Sequence, residues 1–339
     1  MKRALVTGAT GMLGSYIVER LVADGWDVRA LVRDIAAARW LEPLGASLAR
    51  GDVTDEPSVC EAAAGCQAVF HAAAAIGAGR DLDAFRALNV AGTEHVIRAA
   101  ALAGARLVHI SSTAVFDDAT RVRFAPVDED VPVSSLSEGD AYGRSKQEAE
   151  AAVLRAHADD VVWASVVRPP VMYGRRDRQF VPRIAPVLRR GLFPLIDGGR
   201  SSFLIVHAGS VADGAVRAAS TDAAAGRVYH LTNDFDVTVA EFARFAGEGL
   251  GRRIYTPSVP LVVARAFFGA LGFALTLAGR SDLAVHAPGS LALLSRGNPF
   301  TSARARRELG WAPAVPPSVG LPEAFRWWNE RYGSVKATM

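Results

Sequence analysis

Lysine is almost missing from this chain. Of its 38 basic residues only Lys2, Lys146 and Lys336 are lysines, and the others are arginines. Arginine clusters therefore reflect a compositional habit, and a lysine is informative where it does occur. Cysteine is scarcer still, with Cys60 and Cys66 alone. Two cysteines build no disulfide framework and read as reduced thiols. The seven histidines (71, 95, 109, 157, 207, 230 and 286) never fall at metal-ligand spacing with Cys or acids, so no metal site is expected. An excess of one charge is also lacking. The 38 basic residues face 35 acidic ones for a net charge of +3, without the clustered basic patch that marks a nucleic-acid binder. Met1-Lys2-Arg3 runs straight into Ala-Leu-Val-Thr-Gly, too short an apolar run for a signal peptide, and a cytoplasmic location is expected.

Glycine (31) and proline (17) occur at ordinary levels, which excludes collagen-like and mucin-like chains. Half of the 339 residues are hydrophobic and 22% are charged. So much apolar side chain excludes disorder and supports a large buried core. At roughly 150 residues per domain, the length suits two domains or one enlarged one.

The first half alternates short apolar runs with longer amphipathic ones. Arg3 to Thr7 reads as a strand, Met12 to Asp24 as a helix closed by Gly25, and Trp26 to Val32 as a second strand. Ala68 to Ala72 and Arg106 to Ser111 read as further strands, with helical stretches near 82–104 between them. Asp140 to Ala156 reads as a long helix and Val161 to Arg168 as a buried strand. This alternation predicts an α/β fold, a parallel sheet with helices on both faces. After Pro169-Pro170 the pattern loosens into loops and short helices over 174–203. Sheet-like runs return at Leu204-Ile205-Val206 and Val228 to Leu231, and the remainder is mainly helical. The nineteen residues Leu261 to Gly279 carry one charge, Arg265, and reach the length threshold of a membrane span. Lying inside an otherwise polar chain, they read as a buried or lid helix pair broken at Gly269 or Gly272. The other readings are an apolar lid over an apolar substrate and peripheral attachment to a membrane.

Thr7-Gly8-Ala9-Thr10-Gly11-Met12-Leu13-Gly14 joins the first strand to the first helix. Gly8 permits the tight turn, Gly11 lets the backbone approach a pyrophosphate, and Gly14 lets helix and strand pack closely. Free N–H groups and the positive end of the helix dipole then face phosphates. Thr7, Gly8, Thr10, Gly11, Met12, Leu13 and Gly14 are accordingly candidate dinucleotide contacts. The tip of the second strand selects the ribose. Val32 is followed by Arg33, whose guanidinium suits a 2′-phosphate and points to NADP. Asp34, one residue on, keeps NAD open. Asp52 and Val53 follow the third strand and are placed to hold adenine.

Tyr142-Gly143-Arg144-Ser145-Lys146 carries the chemistry. On a helix, i and i+4 share a face, so Tyr142 and Lys146 point into one cleft. An ammonium beside a phenol lowers its pKa, which fits Tyr142 for proton transfer while hydride moves. Ser112, at the end of the strand Arg106 to Ile110, is placed to bond the reacting oxygen, with Ser111 and Thr113 as the other candidates.

These pieces together resemble an extended short-chain dehydrogenase/reductase. The resemblance rests on TGATGMLG (7–14), GDVTD (51–55), HAAA (71–74), LNVAGT (88–93), SSTAVF (111–116), YGRSK (142–146), RPPVMYG (168–174) and SARARRELGWAP (302–313). It implies a Rossmann-type doubly wound parallel sheet over 1–172, joined again by 204–233. A smaller, mainly helical substrate region would comprise 173–203 and 234–339. It implies Ser112, Tyr142 and Lys146 as catalytic residues, Ala72, Ala73 and Asn89 near the cofactor, and Arg168, Pro169 and Val171 at the nicotinamide end. A homodimer is the family's common assembly. Phe116 replaces the Tyr often found after SSxxV and leaves the triad intact.

No acidic pair occupies Thr113-Ala114, which counts against a sugar-nucleotide dehydratase, and Val32-Arg33 counts against an epimerase that retains NAD. The apolar stretch at 258–296 resembles the 3β-hydroxysteroid dehydrogenase and 2-alkyl-3-oxoalkanoate reductase branch. Dihydroflavonol reductases are similar around Val28 to Asp34. The reading is NADP-linked reduction of a ketone, or the reverse, on an apolar small molecule held between the cleft and helices from 175–200 and 258–296. A nucleotide-sugar epimerase and a non-catalytic dinucleotide sensor or scaffold are the alternatives. Arg175-Arg176-Asp177-Arg178 could clamp an anionic substrate group, and His207 could face the substrate.

Overall fold

The computed structural model describes residues 2–77, 81–121, 126–232, 235, 237–277 and 297–333. In chain order the strands are β1 (Arg3–Thr7), β2 (Asp27–Val32), β3 (Ala46–Arg50), β4 (Ala68–His71), β5 (Arg106–Ile110), β6 (Ala164–Arg168), β7 (Val171–Tyr173), β8 (Leu195–Ile196), β9 (Ile205–His207), β10 (Val228–His230) and β11 (Ser258–Val259). Seven of them form one parallel sheet in the order β10-β6-β5-β4-β1-β2-β3. The strand order reverses between β1 and β4, where an open α/β sheet leaves a crevice at its carboxyl edge.

Alternation along β1 assigns the two faces. Ala4 and Val6 join a core with Ile17, Val18 and Leu21 of the helix Met12–Ala23 and with Val211, Ala212 and Ala215 of the helix Ala208–Ser220. Leu5 points the other way, to Val59, Val96 and Val153 of the helices Glu56–Ala63, Ala91–Leu102 and Ala141–Ala158. Each large aliphatic side chain buried this way contributes about 1.5–3 kcal/mol, enough to bind every helix to the sheet. The strand expected from Val161 begins only at Ala164, because the chain is still turning out of the preceding helix and Val161 is half exposed.

The stretch 204–233 divides. β10 completes the main sheet, while β9 pairs with β7 in a separate two-stranded ladder. Beyond it, the helices Val181–Leu188, Val239–Leu250 and Pro317–Tyr332 pack around Phe203, Phe242 and Phe325. Thr238 and Glu241 form a reciprocal capping box that starts the second of these helices.

The apolar stretch departs from expectation. Leu261–Leu277 is one helix that runs through both Gly269 and Gly272. A lone glycine costs a helix only about 1 kcal/mol against alanine, and the neighbouring Ala, Leu and Phe residues sustain the turns. The helix is not buried either: Val262, Phe267 and Phe273 are 72%, 63% and 69% exposed. Among the described residues, no helix is long and apolar enough to cross a membrane.

Candidate active site

The turn after β1 folds as its glycines require. Gly8 has φ of +67°, and a Cβ there would lie 2.6 Å from the Ala73 nitrogen. A Cβ on Gly14 would lie 2.2 Å from the Gly8 carbonyl oxygen, so the helix meets the strand through bare backbone. Gly11 caps the helix Met12–Ala23 with no side chain over its first turn, which leaves that turn's N–H groups open to an anion. The cradle opens into a cleft of about 780 Å³ lined at this end by Gly8, Thr10, Gly11, Met12, Leu13 and Gly14 and by Ala72 and Ala73. An uncapped helix start with no room for a Cβ beside it fits a dinucleotide's diphosphate.

At the outer end the cleft is lined by Arg33, Asp52 and Val53. The Arg33 Nε lies 3.9 Å from an Asp52 carboxylate oxygen, and its side chain is 79% exposed. Asp34 is used elsewhere. Its carboxylate accepts from the Ala37 N–H at 3.2 Å and caps the short helix Ile35–Ala38.

Asp140 caps the helix Ala141–Ala158 by accepting from the Gly143 N–H at 2.9 Å. From that helix Tyr142 and Lys146 both line the cleft, with Ser112 opposite at the end of β5. Burial pushes the Tyr142 phenol above its usual range, opposed chiefly by its hydrogen bond with the Ser112 hydroxyl. The ammonium is engaged behind the cleft, donating to the Ile110 carbonyl at 2.6 Å. Burial lowers its own pKa to about 8, while the charge of Glu150 acts the other way.

Ser111, Ser112 and Thr113, which follow β5, all line the cleft. Ser111 donates to Glu150 at 2.5 Å, and Thr113 is buried. The Ser112 hydroxyl accepts from the Ala114 N–H at 3.0 Å and is hydrogen-bonded to the Tyr142 hydroxyl. Pro169 and Val171 line the cleft, but Thr7, Asn89 and Arg168 stand behind its wall. Thr7 bonds His71 at 2.8 Å. The Asn89 amide accepts from the Ala75 N–H at 2.7 Å and donates to the Ser145 hydroxyl at 3.0 Å, tying the wall to the helix that carries Tyr142 and Lys146. Arg168 pairs with Glu150, both side chains being buried.

The substrate side is apolar, with Ile76, Leu88, Met172, Phe180 and Leu204, and carries Arg121, Arg178 and Arg183. None of the described residues 258–277 lines it, so the expected wall from the apolar stretch is absent among them. Arg175 and Arg176 are not an open clamp, because both pair with Glu19. Asp177 accepts three backbone N–H groups at the start of the helix Val181–Leu188. His207 lies outside the cleft, with Nδ1 accepting from the Gly209 N–H at 3.2 Å and Nε2 3.4 Å from the Tyr16 hydroxyl. Sequence reasoning missed Arg121, Phe180 and Glu150. Arg121 and Phe180 sit in irregular stretches with no periodic signal, whereas Glu150 follows Lys146 by four residues and could have been read on the same helix face.

The matching family model is described as the NAD dependent epimerase/dehydratase family and covers residues 4–232. A 4-hydroxy-2-methyl-3-oxo-4-farnesyl-3,4-dihydroquinoline-1-oxide ketoreductase of Stigmatella aurantiaca is 35% identical, with 94% of each chain covered. A 2-alkyl-3-oxoalkanoate reductase of Shewanella oneidensis is 29% identical over 95% of this chain and 85% of the relative. In fold the chain is similar to UDP-glucuronic acid 4-epimerase from Bacillus cereus, solved with NAD, at a TM-score of 0.73 and 18% identity, covering 97% of this chain and 99% of the other. The chain belongs to the NAD dependent epimerase/dehydratase family, within the extended short-chain dehydrogenases and reductases, and is an oxidoreductase of that family.

Proposed function

We propose that the protein uses NADPH to reduce a ketone on a largely apolar substrate. The observation that carries this reading is the facing pair Ser112 and Tyr142, set between the glycine cradle and an apolar pocket in one cleft. The cradle residues Gly8 to Gly14 would hold the diphosphate, Ala72, Ala73, Pro169 and Val171 the nicotinamide end, and Asp52 and Val53 the adenine. When bound, the coenzyme supplies hydride. Ser112 steadies the substrate oxygen by donating its hydroxyl, and Tyr142 delivers the proton to that oxygen. Lys146 would hold the nicotinamide ribose from the inner wall.

Arg33 at the cleft mouth favours NADP, and Asp34, which caps the following helix, does not line the cleft. Ile76, Leu88, Met172, Phe180 and Leu204 favour an apolar ketone. The names of the Stigmatella and Shewanella relatives, a ketoreductase and an oxoalkanoate reductase, support the same class. The exposed apolar helix Leu261–Leu277 would then meet the substrate or a lipid surface from outside the cleft. NADPH oxidation with a panel of long-chain 3-oxo acids and cyclic ketones tests the reading. Turnover that prefers NADPH and longer chains is expected. NAD retained through purification, with turnover of nucleotide sugars only, would overturn it in favour of an epimerase.

A further inference from the structure

Two buried histidines lie behind the catalytic lysine, and they are wired differently. His71 of β4 and His109 of β5 are register partners with ring centroids 5.4 Å apart. Thr93 gives its hydroxyl proton to the Asn89 carbonyl at 2.6 Å, so at 3.0 Å it accepts from His71 Nε2. His71 Nδ1 is then the acceptor for the Thr7 hydroxyl at 2.8 Å. Both nitrogens of His71 are satisfied in the neutral ring. His109 is fully buried, its Nε2 lies 3.5 Å from the Lys146 ammonium, and its Nδ1 has no partner. An ammonium only donates, so His109 Nε2 accepts and the ring proton sits on Nδ1.

We propose that His109 is a positioning residue for Lys146, its neutral imidazole accepting one ammonium proton beside the Ile110 carbonyl and leaving the third for the cleft. The inference rests on the reductase reading for the use of that third proton, but not for the placement of the ammonium. The groups that face Lys146 are few. His109 and His71 approach from the sheet, and Tyr142 and Glu150 lie on its own helix. The Glu150 carboxylate is already held by Arg168 and Ser111. His109 is thus the side-chain acceptor that the ammonium has, and its unpartnered Nδ1–H is a buried cost that an apolar residue would avoid.

With only three lysines, the chain gives a simple spectrum when its lysine ε-carbons are labelled with ¹³C. In the coenzyme-free protein the Lys146 signal is expected to titrate near 8. An acceptor favours the charged form. His109→Leu and His109→Met should therefore move that midpoint down by about one pH unit, tenfold in the equilibrium. His109→Gln, whose amide oxygen can accept, should restore it. The alkaline limb of kcat/KM should move with the midpoint, while KM for the ketone stays constant. The methionine variant, nearly matched in volume, stands in if the leucine variant does not fold. Unchanged midpoints in the apolar variants, or a glutamine variant that behaves like them, would overturn the proposal. Shifted midpoints in a protein that oxidises NADPH with no ketone would sink the reductase reading and leave His109 in place.

Discussion

Glu150 closes a buried ion pair with Arg168, its side chain 5% exposed and its partner 4%, directly behind the wall that carries Ser112. The Arg168 guanidinium also lies 5.1 Å from the centre of the Phe116 ring. The pair therefore joins the helix that carries Tyr142 and Lys146 to the end of β6. Removing one member strands the other in the core. Glu150→Ala should cost about 3–5 kcal/mol in urea unfolding. The double variant with Arg168→Met should recover much of that loss, and a double variant no more stable than Glu150→Ala would refute the coupling.

Tyr142→Phe keeps the ring that packs edge-on against Phe85 at 5.9 Å, so the fold should persist. Only the proton donor goes. Turnover should drop by about 10²–10⁴-fold, with NADPH affinity nearly unchanged in a fluorescence titration. Near-native turnover would remove Tyr142 from the reaction.

Arg33 stands largely exposed at the cleft mouth, held only loosely by Asp52. Arg33→Ser should weaken NADPH by about 10–100-fold, the loss of a charge-assisted contact, and leave NADH unchanged. Calorimetric titration with both coenzymes reads the ratio. Equal losses for the two would assign Arg33 to general attraction rather than to the 2′-phosphate.

The buried ammonium makes stability depend on pH in a stated direction. Lys146 titrates near 8 when folded against a usual 10.5. Between those values the unfolded chain holds a proton that the folded chain has released, so stability rises with pH across the window. The full gain is about 3 kcal/mol. Lys146→Met lacks the term. Measured against that variant, the wild type should gain stability from pH 8 to pH 10.5, and a constant difference would show that the ammonium is better solvated than its burial indicates.

Local spacing made the first half of the site readable. The glycine turn needs only a strand before it and a helix after it, and the Tyr142–Lys146 pair needs only helical periodicity. What local spacing leaves open depends on which groups each side chain meets once the chain is folded. Lys146 donates to the carbonyl of Ile110, 36 residues away, a contact that helical periodicity does not show. Asp34 and His207 were ambiguous because an acid or imidazole at an element boundary can serve a ligand or a cap, and here both serve caps. The stretch Leu261–Leu277 shows its apolar character in sequence, but hydropathy carries no address, and the helix stands clear of the cleft that it was expected to wall.

The carboxylate of Asp34 has a bearing on redesign. Placing an acid at position 33 to test the proposed NADP preference would set two anions side by side, one of them already anchoring the following turn. A successful swap would need a neutral replacement such as serine at 34 to keep the turn anchored. On the proposed NADP reading, the side chain that meets the coenzyme and the one that orders the next turn are neighbours in the chain, so a change at 33 is expected to be felt at 34.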